Sequence, residues 1–568
     1  MGLVLGTAAC NGCSGEKKDA APAAPAPVPA PESLLADAYV ISPNPSWSKL
    51  QRGVGGAVGI LPATLPSIVA MGADLDPRIA AELDGSAPMF GAVAGDPASP
   101  AFCIAIKLVD PRRARMMLTD GESARYTARE AGPVTHLVAK APPADREKKA
   151  AAAALTSNGY VVVGKLPEDL EKLAPYTTQT LPSRELPKEG AVVIDVPRSA
   201  VTNLLAPKLE GGWSDAKTFL LGQDERMRRE HGGRAPDFGD PKAIVAALDA
   251  IVGRRIAVFR DLERVRIAFD VDESAVLVSA TLTPVAGDGP AKKWIQGMRV
   301  GDAANVLGLS ASSVVALSTR DTDDDRAAQA SEMEKAIASS LGDRLKEPDA
   351  KRLHDLFDDW TKGRDEALAV SYVATEPAGT LLTTRARDGE AANRAVRTAV
   401  DLTRADPFKE LLRVQDVTTA TEEIPGFGKA QIATITRERK KAPPALGARE
   451  RDAGAPKGAA AKSGVAWSTE SGNVVVAIGD EPLLTLKAGV HPDKKLRDDP
   501  LVARFAASVG DTASTIVIGQ PLRLDPRRAD PSAAPIAIAL GRKGGDAVLR
   551  LDVSDALLRE LSRTFLGF

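Results

Sequence analysis

Histidine, cysteine and aromatic residues are scarce in this 568-residue chain, which has four histidines, three cysteines and 4% aromatic residues. His136, His231, His354 and His491 have no second histidine or cysteine at ligand spacing, which argues against a histidine-based metal centre. Three cysteines give no disulfide framework, and Cys103, in an apolar run, is predicted to be a buried strand residue. The low aromatic content argues against stacking platforms and predicts an interior of Val, Leu, Ile and Ala.

The chain also lacks an excess of either charge, because 73 Lys and Arg residues oppose 75 Asp and Glu residues, for a net charge of -2. No global field therefore attracts nucleic acid or an anionic bilayer, and no nucleic-acid partner is expected. A hydrophobic content of 44% is enough to bury real cores. A length of 568 residues exceeds what one core usually organises, so at least two domains are predicted.

One sequence pattern occurs twice, at residues 155–164 and 467–479. In both, a turn rich in Gly, Asn and Ser leads into a run of valines that ends at glycine. A β-branched run bounded by turn residues predicts a buried strand entered from a tight turn. A short apolar helix pattern follows each copy, at residues 170–173 and 483–486. The repetition predicts an internal duplication.

Other elements repeat in the same order around these runs. Paired strands are predicted in both passes, each pair followed by an aspartate that precedes a helical stretch. Asp110 and Asp388 are interpreted as helix caps rather than catalytic carboxylates. Further matched strands precede and follow the valine runs. The predicted strands lie at residues 39–42, 89–93, 102–108, 134–138, 191–197 and 275–280 in the first pass and at 313–318, 367–374, 380–384, 430–435, 514–521 and 547–551 in the second.

Basic segments rich in Ala and Pro interrupt both passes, at residues 140–154 and 437–463, and their matched positions predict hairpin loops. A long insert at residues 210–240 belongs to the first pass alone. The resulting prediction is an α+β fold with two repeated modules, at residues 33–300 and 301–568, each a mainly antiparallel sheet backed by helices.

The amino terminus is apolar, ends in small residues and stops at Cys10. Residues 7–10, Thr-Ala-Ala-Cys, resemble the lipobox of a bacterial lipoprotein signal, and the resemblance implies lipidation of Cys10 and anchoring to a membrane. Asn11 next to it favours the outer membrane. The basic segment of a signal peptide is absent, so residues 1–10 are interpreted as a truncated signal with its start codon upstream. Residues 11–32 are rich in Ala and Pro and predict an extended tether.

The whole arrangement resembles large bacterial envelope proteins of uncharacterised function, in which a signal sequence precedes repeated strand-helix modules. The resemblance covers most of the chain and rests on the pattern of elements. It implies a cell-envelope location and an outer-membrane anchor. It implies no catalytic residues.

Two motifs fall short of a nucleotide site or a hydrolase site. The glycine-rich residues 53–59 carry Val58 where the dinucleotide fingerprint needs glycine, and no Gly-Lys-Ser/Thr sequence closes a phosphate loop. Residues 308–312, Gly-Leu-Ser-Ala-Ser, lack the second glycine of a nucleophile elbow. No cofactor is expected.

An acidic cluster gives a calcium candidate, with carboxylates at positions one, three, five and twelve of a calcium loop: Asp321, Asp323, Asp325 and Glu332. Arg326 occupies the position where such a loop needs glycine. The alternative is that these acids begin a helix and complement its dipole.

Residues 53–73, which follow Arg52, contain no charged side chain. Their apolar side chains give a candidate binding surface. Burial between the modules is the alternative, and Pro62 and Pro66 argue against a membrane span. The candidate residues are Ile60, Leu61, Leu65, Ile68, Val69 and Met71.

These observations predict a non-enzymatic envelope lipoprotein that acts as a binding or structural module, with a membrane and an envelope protein as candidate partners. One alternative is a periplasmic carrier of an apolar ligand, and another is a hydrolase with dispersed catalytic residues. A polar cleft with convergent carboxylates would favour the hydrolase. A continuous apolar cavity would favour the carrier.

Overall fold

The computed structural model describes residues 26–54, 61–140, 151–230, 241–272, 274–374, 378–438, 461–524 and 534–566. Within these ranges helices and strands follow one another along the chain. Every strand pairing among them is antiparallel. The predicted α+β class, with two repeated antiparallel modules backed by helices, is confirmed.

The described strands fall into two successive sets along the chain. The first set is β1 Leu34–Val40, β2 Met89–Ala94, β3 Ala101–Lys107, β4 Tyr126–Ala131, β5 Val134–Ala139, β6 Ala152–Thr156, β7 Tyr160–Gly164, β8 Val192–Pro197, β9 Leu262–Val271 and β10 Ala275–Pro284. The second set is β11 Val315–Arg320, β12 Arg364–Val373, β13 Gly379–Ala386, β14 Val414–Ile424, β15 Gly428–Arg437, β16 Ala461–Ser468, β17 Asn473–Gly479, β18 Ala513–Gly519, β19 Ile536–Lys543 and β20 Asp546–Ser554.

The described α-helices lie between and after these strands. They are α1 Pro43–Val54, α2 Leu65–Gly72, α3 Pro111–Thr119, α4 Pro167–Pro175, α5 Arg198–Ala200, α6 Ala206–Glu230, α7 Pro241–Arg260, α8 Pro290–Gly297, α9 Ala304–Leu307, α10 Asp323–Leu341, α11 Glu347–Gly363, α12 Gly389–Leu402, α13 Asp406–Leu412, α14 Pro482–Val490, α15 Pro500–Val509 and α16 Asp555–Leu566.

The spatial order of the strands is the same in both sets. From the outer edge inwards, the first set is ordered β4, β5, β6, β7, β3, β2, β1, β8, β9 and β10. The second set is ordered β14, β15, β16, β17, β13, β12, β11, β18, β19 and β20. The two valine runs form β7 and β17, which occupy the same place in the two orders.

The last strands of the two halves pair with each other and join them into a 20-stranded sheet. Ala275 of β10 lies opposite Ser554 of β20, and Leu282 lies opposite Ala547. The start of each strand therefore faces the end of the other. An approximate twofold axis relates the two halves, close to the pair formed by Ser279 and Arg550. We call this β10–β20 pairing the seam.

One row of paired residues crosses the sheet at the axis. Along this row the two halves correspond residue by residue. It extends from Ser279 to Val162 on one side and from Arg550 to Val475 on the other. Each valine is the seventh residue of its half, counted from the seam. The row reads Val162, Ala105, Phe90, Tyr39, Val193, Ala268, Ser279, Arg550, Ala539, Ile516, Ser318, Ala369, Thr383 and Val475.

Helices cover both faces of each half. Val162 packs in a buried cluster with residues of α4, whereas its neighbours Val161 and Val163 pack with residues of α3 on the opposite face. The second half repeats this division, with Val475 in the cluster of α14 and Val474 in the cluster of α12. Asp110 and Asp388 cap α3 and α12 by accepting backbone N–H bonds, as predicted.

Among the described residues, the long helices α6 and α7 occur in the first half. Helix α6 contains residues 210–230 of the predicted insert, and residues 231–240 lie outside the described residues. The two helices lie between β8 and β9, where the second half has only a short 3₁₀ turn among its described residues. Each predicted basic insert lies between paired strands, β5 with β6 and β15 with β16, but its last three residues, 152–154 and 461–463, belong to the second strand of the pair. The predicted module boundary at residue 300 falls between α8 and α9 and remains a prediction.

The shared row predicts that Val162→Asp and Val475→Asp have similar effects, because both side chains are buried under a helix. Each substitution should lower the free energy of unfolding by several kcal/mol, since each places an unpaired charge in a core. Chemical denaturation monitored by circular dichroism measures the change. Val315→Asp is the control, because Val315 is 43% exposed. If one core variant is as stable as the control, the two positions are not equivalent.

Candidate functional site

A cleft lies over the seam, between the segment that leads into β8 and the carboxyl end of α15. Its floor is formed by β9, β10, β20 and β19, and its volume is about 260 Å³. Glu189 and Gly190 line it from the first half, and Ser508, Val509 and Thr512 line it from the second half. It continues into a wider depression of about 590 Å³ that shares Ser279 and Thr281 of β10. We call the first of these the seam cleft.

Arg550 lies on the floor of the seam cleft, beside the approximate axis. Its Nε donates to Asp552 Oδ1 at 3.0 Å, and an Nη donates to Oδ2 at 3.4 Å. The Arg550 side chain is 28% exposed and Asp552 9% exposed. A guanidinium has five N–H donors, so Arg550 keeps donors for a molecule in the cleft. Ser279 lies opposite it across the seam, and Thr281 lines the same cleft.

The charged side chains that line the seam cleft divide by half. The first half contributes two carboxylates, Glu189 and Asp270, and the second half contributes two cations, Lys543 and Arg550. Lys543 Nζ lies 3.7 Å from a Glu189 carboxylate oxygen, and both side chains are largely exposed. An exposed pair of this kind contributes little to stability, so both ends remain accessible to a ligand. The cleft is therefore dipolar across the seam.

The wall formed by the first half is held to the sheet by a buried carboxylate. Asp37 on β1 is buried, and its Oδ2 accepts from the Tyr176 hydroxyl at 3.0 Å and from an Arg184 Nη at 2.9 Å. Burial raises the pKa of Asp37 above its ordinary value, against the hydrogen bonds from Tyr176 and Arg184, which lower it. These contacts anchor the segment that continues to Glu189 and the cleft.

A second carboxylate lies beside Asp37 in the sheet, because Asp195 of β8 is its register partner. Arg266 of β9 donates to Asp195 through Nε at 2.8 Å and through an Nη at 2.7 Å. Each carboxylate of this like-charged pair therefore has its own arginine. The two-point geometry orients Arg266, which lines the wider depression next to the seam cleft.

Two glycines allow the walls to approach the floor. Gly190 has φ +89°, and a Cβ there would lie 2.9 Å from the Ala268 side chain. A Cβ at Gly541 would overlap the carbonyl of Thr512. Only glycine fits at either position without moving a wall.

The residues of the calcium candidate do not form a metal site. Thr322 caps α10 in a capping box with Asp325, and Arg254 forms an ion pair with Glu332 at 2.7 Å. Asp321 accepts from Arg364 at 2.8 Å. Among the described residues, no group of three or more His, Cys, Asp or Glu side chains could hold a metal ion. The acids begin a helix, which is the alternative stated from the sequence.

Buried arginines take the place of a cation in this acidic cluster. Arg326 and Arg364 are 2% and 5% exposed, and Arg326 donates to the Asp321 carbonyl at 3.0 Å and contacts the Asp323 carboxylate. Arg387 also donates to Asp323, and its hydrogen bond lowers the pKa of that carboxyl. The positive charge that the carboxylates need is thus supplied by the chain.

The apolar candidate surface is divided between the core and the solvent. Leu65 and Val69 of α2 pack against the buried cluster that also contains Val161. Ile68 is half-buried, whereas Leu61 and Met71 are exposed. These residues therefore do not form one continuous exposed surface. Ile60 lies outside the described residues.

Cys10, the predicted lipidation site, also lies outside the described residues. Cys103 lies on β3 and is fully buried, as predicted, and burial raises the pKa of its thiol to about 12. No helix among the described residues combines the length and apolar character that crossing a bilayer requires. His136 and His354 each contact a glutamate, at 3.1 Å in both cases.

The sequence did not identify the residues of the seam cleft. The final strands of both passes were predicted, but the pairing between them is not encoded locally. A signal was available in both strands, because polar residues recur at every second position: Ser279, Thr281 and Thr283 in β10, and Arg550, Asp552 and Ser554 in β20. Such residues favour a strand face that is left uncovered.

Comparisons with known proteins add little to this description. No family model matches the chain, and no curated protein matches it. Two solved structures, "Structure of crystal form IV of TP0453" and "Structure of crystal form III of TP0453", each show 10% identity and a TM-score of 0.21. The first match covers 44% of this chain and 76% of the other, and the second covers 47% and 84%. Similarity at this level supports no inference about this chain.

Proposed function

We propose that this protein is a non-enzymatic binding module of the bacterial cell envelope and that its ligand is a small zwitterion, such as an amino acid or a short peptide. The ligand occupies the seam cleft. Its carboxylate contacts Arg550 and Lys543, and its ammonium group contacts Asp270 and Glu189. The observation that carries the proposal is the division of charge across the seam.

The size and lining of the cleft support a ligand of this class. A volume of about 260 Å³ suits a small molecule rather than a folded partner. Ser279, Thr281 and Thr512 add hydroxyl groups that donate and accept hydrogen bonds. Opposite charges on the two sides of the seam would orient a zwitterion and disfavour its binding in the reversed direction.

The two alternative functions receive less support from the same cleft. The seam cleft is lined by four charged side chains, which is unfavourable for the apolar ligand of a carrier. For the hydrolase, a base would have to lie beside a nucleophile. The lining of the cleft contains the hydroxyl residues Ser279, Thr281, Ser508 and Thr512 and no histidine.

Calorimetric titration of the whole protein with dialanine tests the proposal. Binding should be lost or weakened at least tenfold for N-acetyl-dialanine, which lacks the ammonium group, and for dialanine amide, which lacks the carboxylate. Equal binding of all three compounds, or binding of none, would contradict the proposal. A panel of other free amino acids and dipeptides then defines side-chain preference.

The matched variants separate charge recognition from folding. Arg550→Gln alone leaves Asp552 buried without its partner, so the double variant Arg550→Gln with Asp552→Asn removes both charges together. It should keep the thermal transition and lose dialanine binding. Leu549→Gln is the control, because Leu549 is exposed and its side chain lies on the opposite face of the same strand. Unchanged binding by the double variant would remove Arg550 from the site.

The proposed location depends on the lipid anchor at Cys10. The protein expressed with an upstream signal should incorporate labelled palmitate and partition into the detergent phase. Cys10→Ala should abolish both, whereas Cys13→Ala should abolish neither. A Cys10→Ala protein that remains equally membrane-bound would count against the anchor.

A further inference from the structure

A second cleft lies far from the seam, between α12 and the β14–β15 hairpin at the outer edge of the second half. Ala392 and Val396 of α12 pack on β16 and β17. The hairpin continues beyond these contacts and leaves a groove of about 340 Å³. We call it the hairpin groove. Arg397 and Asp401 line it from α12, Arg404 lines it from the residues just after the helix, and Thr419 and Thr421 line it from β14.

A chain of hydrogen bonds positions Arg397 in this groove. Its Nε donates to Gln431 Oε1 at 2.8 Å, and Gln431 Nε2 donates to Asn393 Oδ1 at 3.2 Å. Asn393 Oδ1 also accepts from the indole N–H of Trp467 at 2.9 Å, and Trp467 is buried. This chain of bonds to a buried side chain holds the guanidinium in one orientation, which lowers the entropic cost of binding a ligand.

Arg397 keeps its charge available. Arg397 is exposed, and within the described part of the chain it forms no ion pair. Arg394, one turn earlier on α12, is neutralised by Asp359 through bonds of 2.8 and 3.2 Å. Arg404, two turns later, is paired with Asp401 at 2.6 Å. The positive charge of the groove is therefore concentrated at its Arg397 end.

The first half has no equivalent of this arrangement. Arg397 lies nine residues after the capping Asp388, and the ninth residue after Asp110 is Thr119, where α3 ends. Helix α12 extends further, and its additional turns carry Arg397. At this pair of equivalent positions only the second half carries a cation.

We propose that the hairpin groove binds an oxyanion, either an inorganic one or the acidic group of a small organic acid. The terminal N–H groups of Arg397 donate to it, and the hydroxyls of Thr419 and Thr421 complete the site from β14. A guanidinium matches the paired oxygens of carboxylates and phosphates in two-point geometry. This site is independent of the proposed zwitterion site at the seam.

Titration of the whole protein with inorganic phosphate and, separately, with citrate tests the proposal. At least one of the two should bind, and Arg397→Gln should weaken that binding at least tenfold. Arg394→Gln is the control and should bind as the parent protein does, because Arg394 is held by Asp359. The phosphate arm identifies an inorganic anion, and the citrate arm identifies an organic acid.

Two further readouts keep the result specific. Binding should weaken as sodium chloride is raised, because the contact is between an exposed cation and an anion. The double variant Arg550→Gln with Asp552→Asn should retain binding, which separates this site from the seam cleft. Absence of binding by the parent protein, or equal binding by Arg397→Gln, would overturn the proposal.

Discussion

Backbone hydrogen bonding between β10 and β20 is the constraint on which the rest of the molecule depends. Each half is a sheet whose last strand would otherwise present unpaired N–H and C=O groups along its inner edge. The eight residue pairs between Ala275–Leu282 and Ala547–Ser554 satisfy both edges at once. Because the paired strands are equivalent, the junction resembles the isologous contact of a symmetric dimer within one chain. The outer strands β4 and β14 then become the edges of the whole sheet.

The two repeated halves differ in the side chains that they bring to this junction. A symmetric seam would place the same side chains on both sides of the axis. Here the equivalent positions differ, since Ser279 of the first half lies opposite Arg550 of the second. The carboxylates that line the cleft come from the first half and the cations from the second, so the charge differs across the seam. The halves also differ at the outer edge. Helix α12 is longer than α3, and its additional turns carry Arg397, which lines the hairpin groove.

Local sequence predicted the elements whose burial pattern is strong. The valine runs, the capping aspartates and the final apolar strands were all recognisable. The strand preference of β-branched residues and the capping of a helix by Asp depend only on neighbouring residues. Strands β4, β6, β9, β14, β16 and β19 were missed, and residues 152–154 of β6 and 461–463 of β16 were placed in the predicted loops. In β14 all but three residues are exposed, and β9 carries Arg264 and Arg266, so neither shows the alternation of a half-buried strand. The seam joins residues that are more than 260 positions apart, and no local pattern encodes such a pairing.

Hydrogen exchange at the seam tests the central claim most directly. If β10 and β20 pair as described, amides of residues 275–282 and 547–554 exchange as slowly as those of the interior strands β7 and β17, and far more slowly than those of the edge strand β14. Both segments should lose protection together as denaturant is added, since opening the seam exposes both. Fast exchange in residues 275–282 and 547–554, with β7 and β17 still protected, would show that the halves are not joined through this pairing.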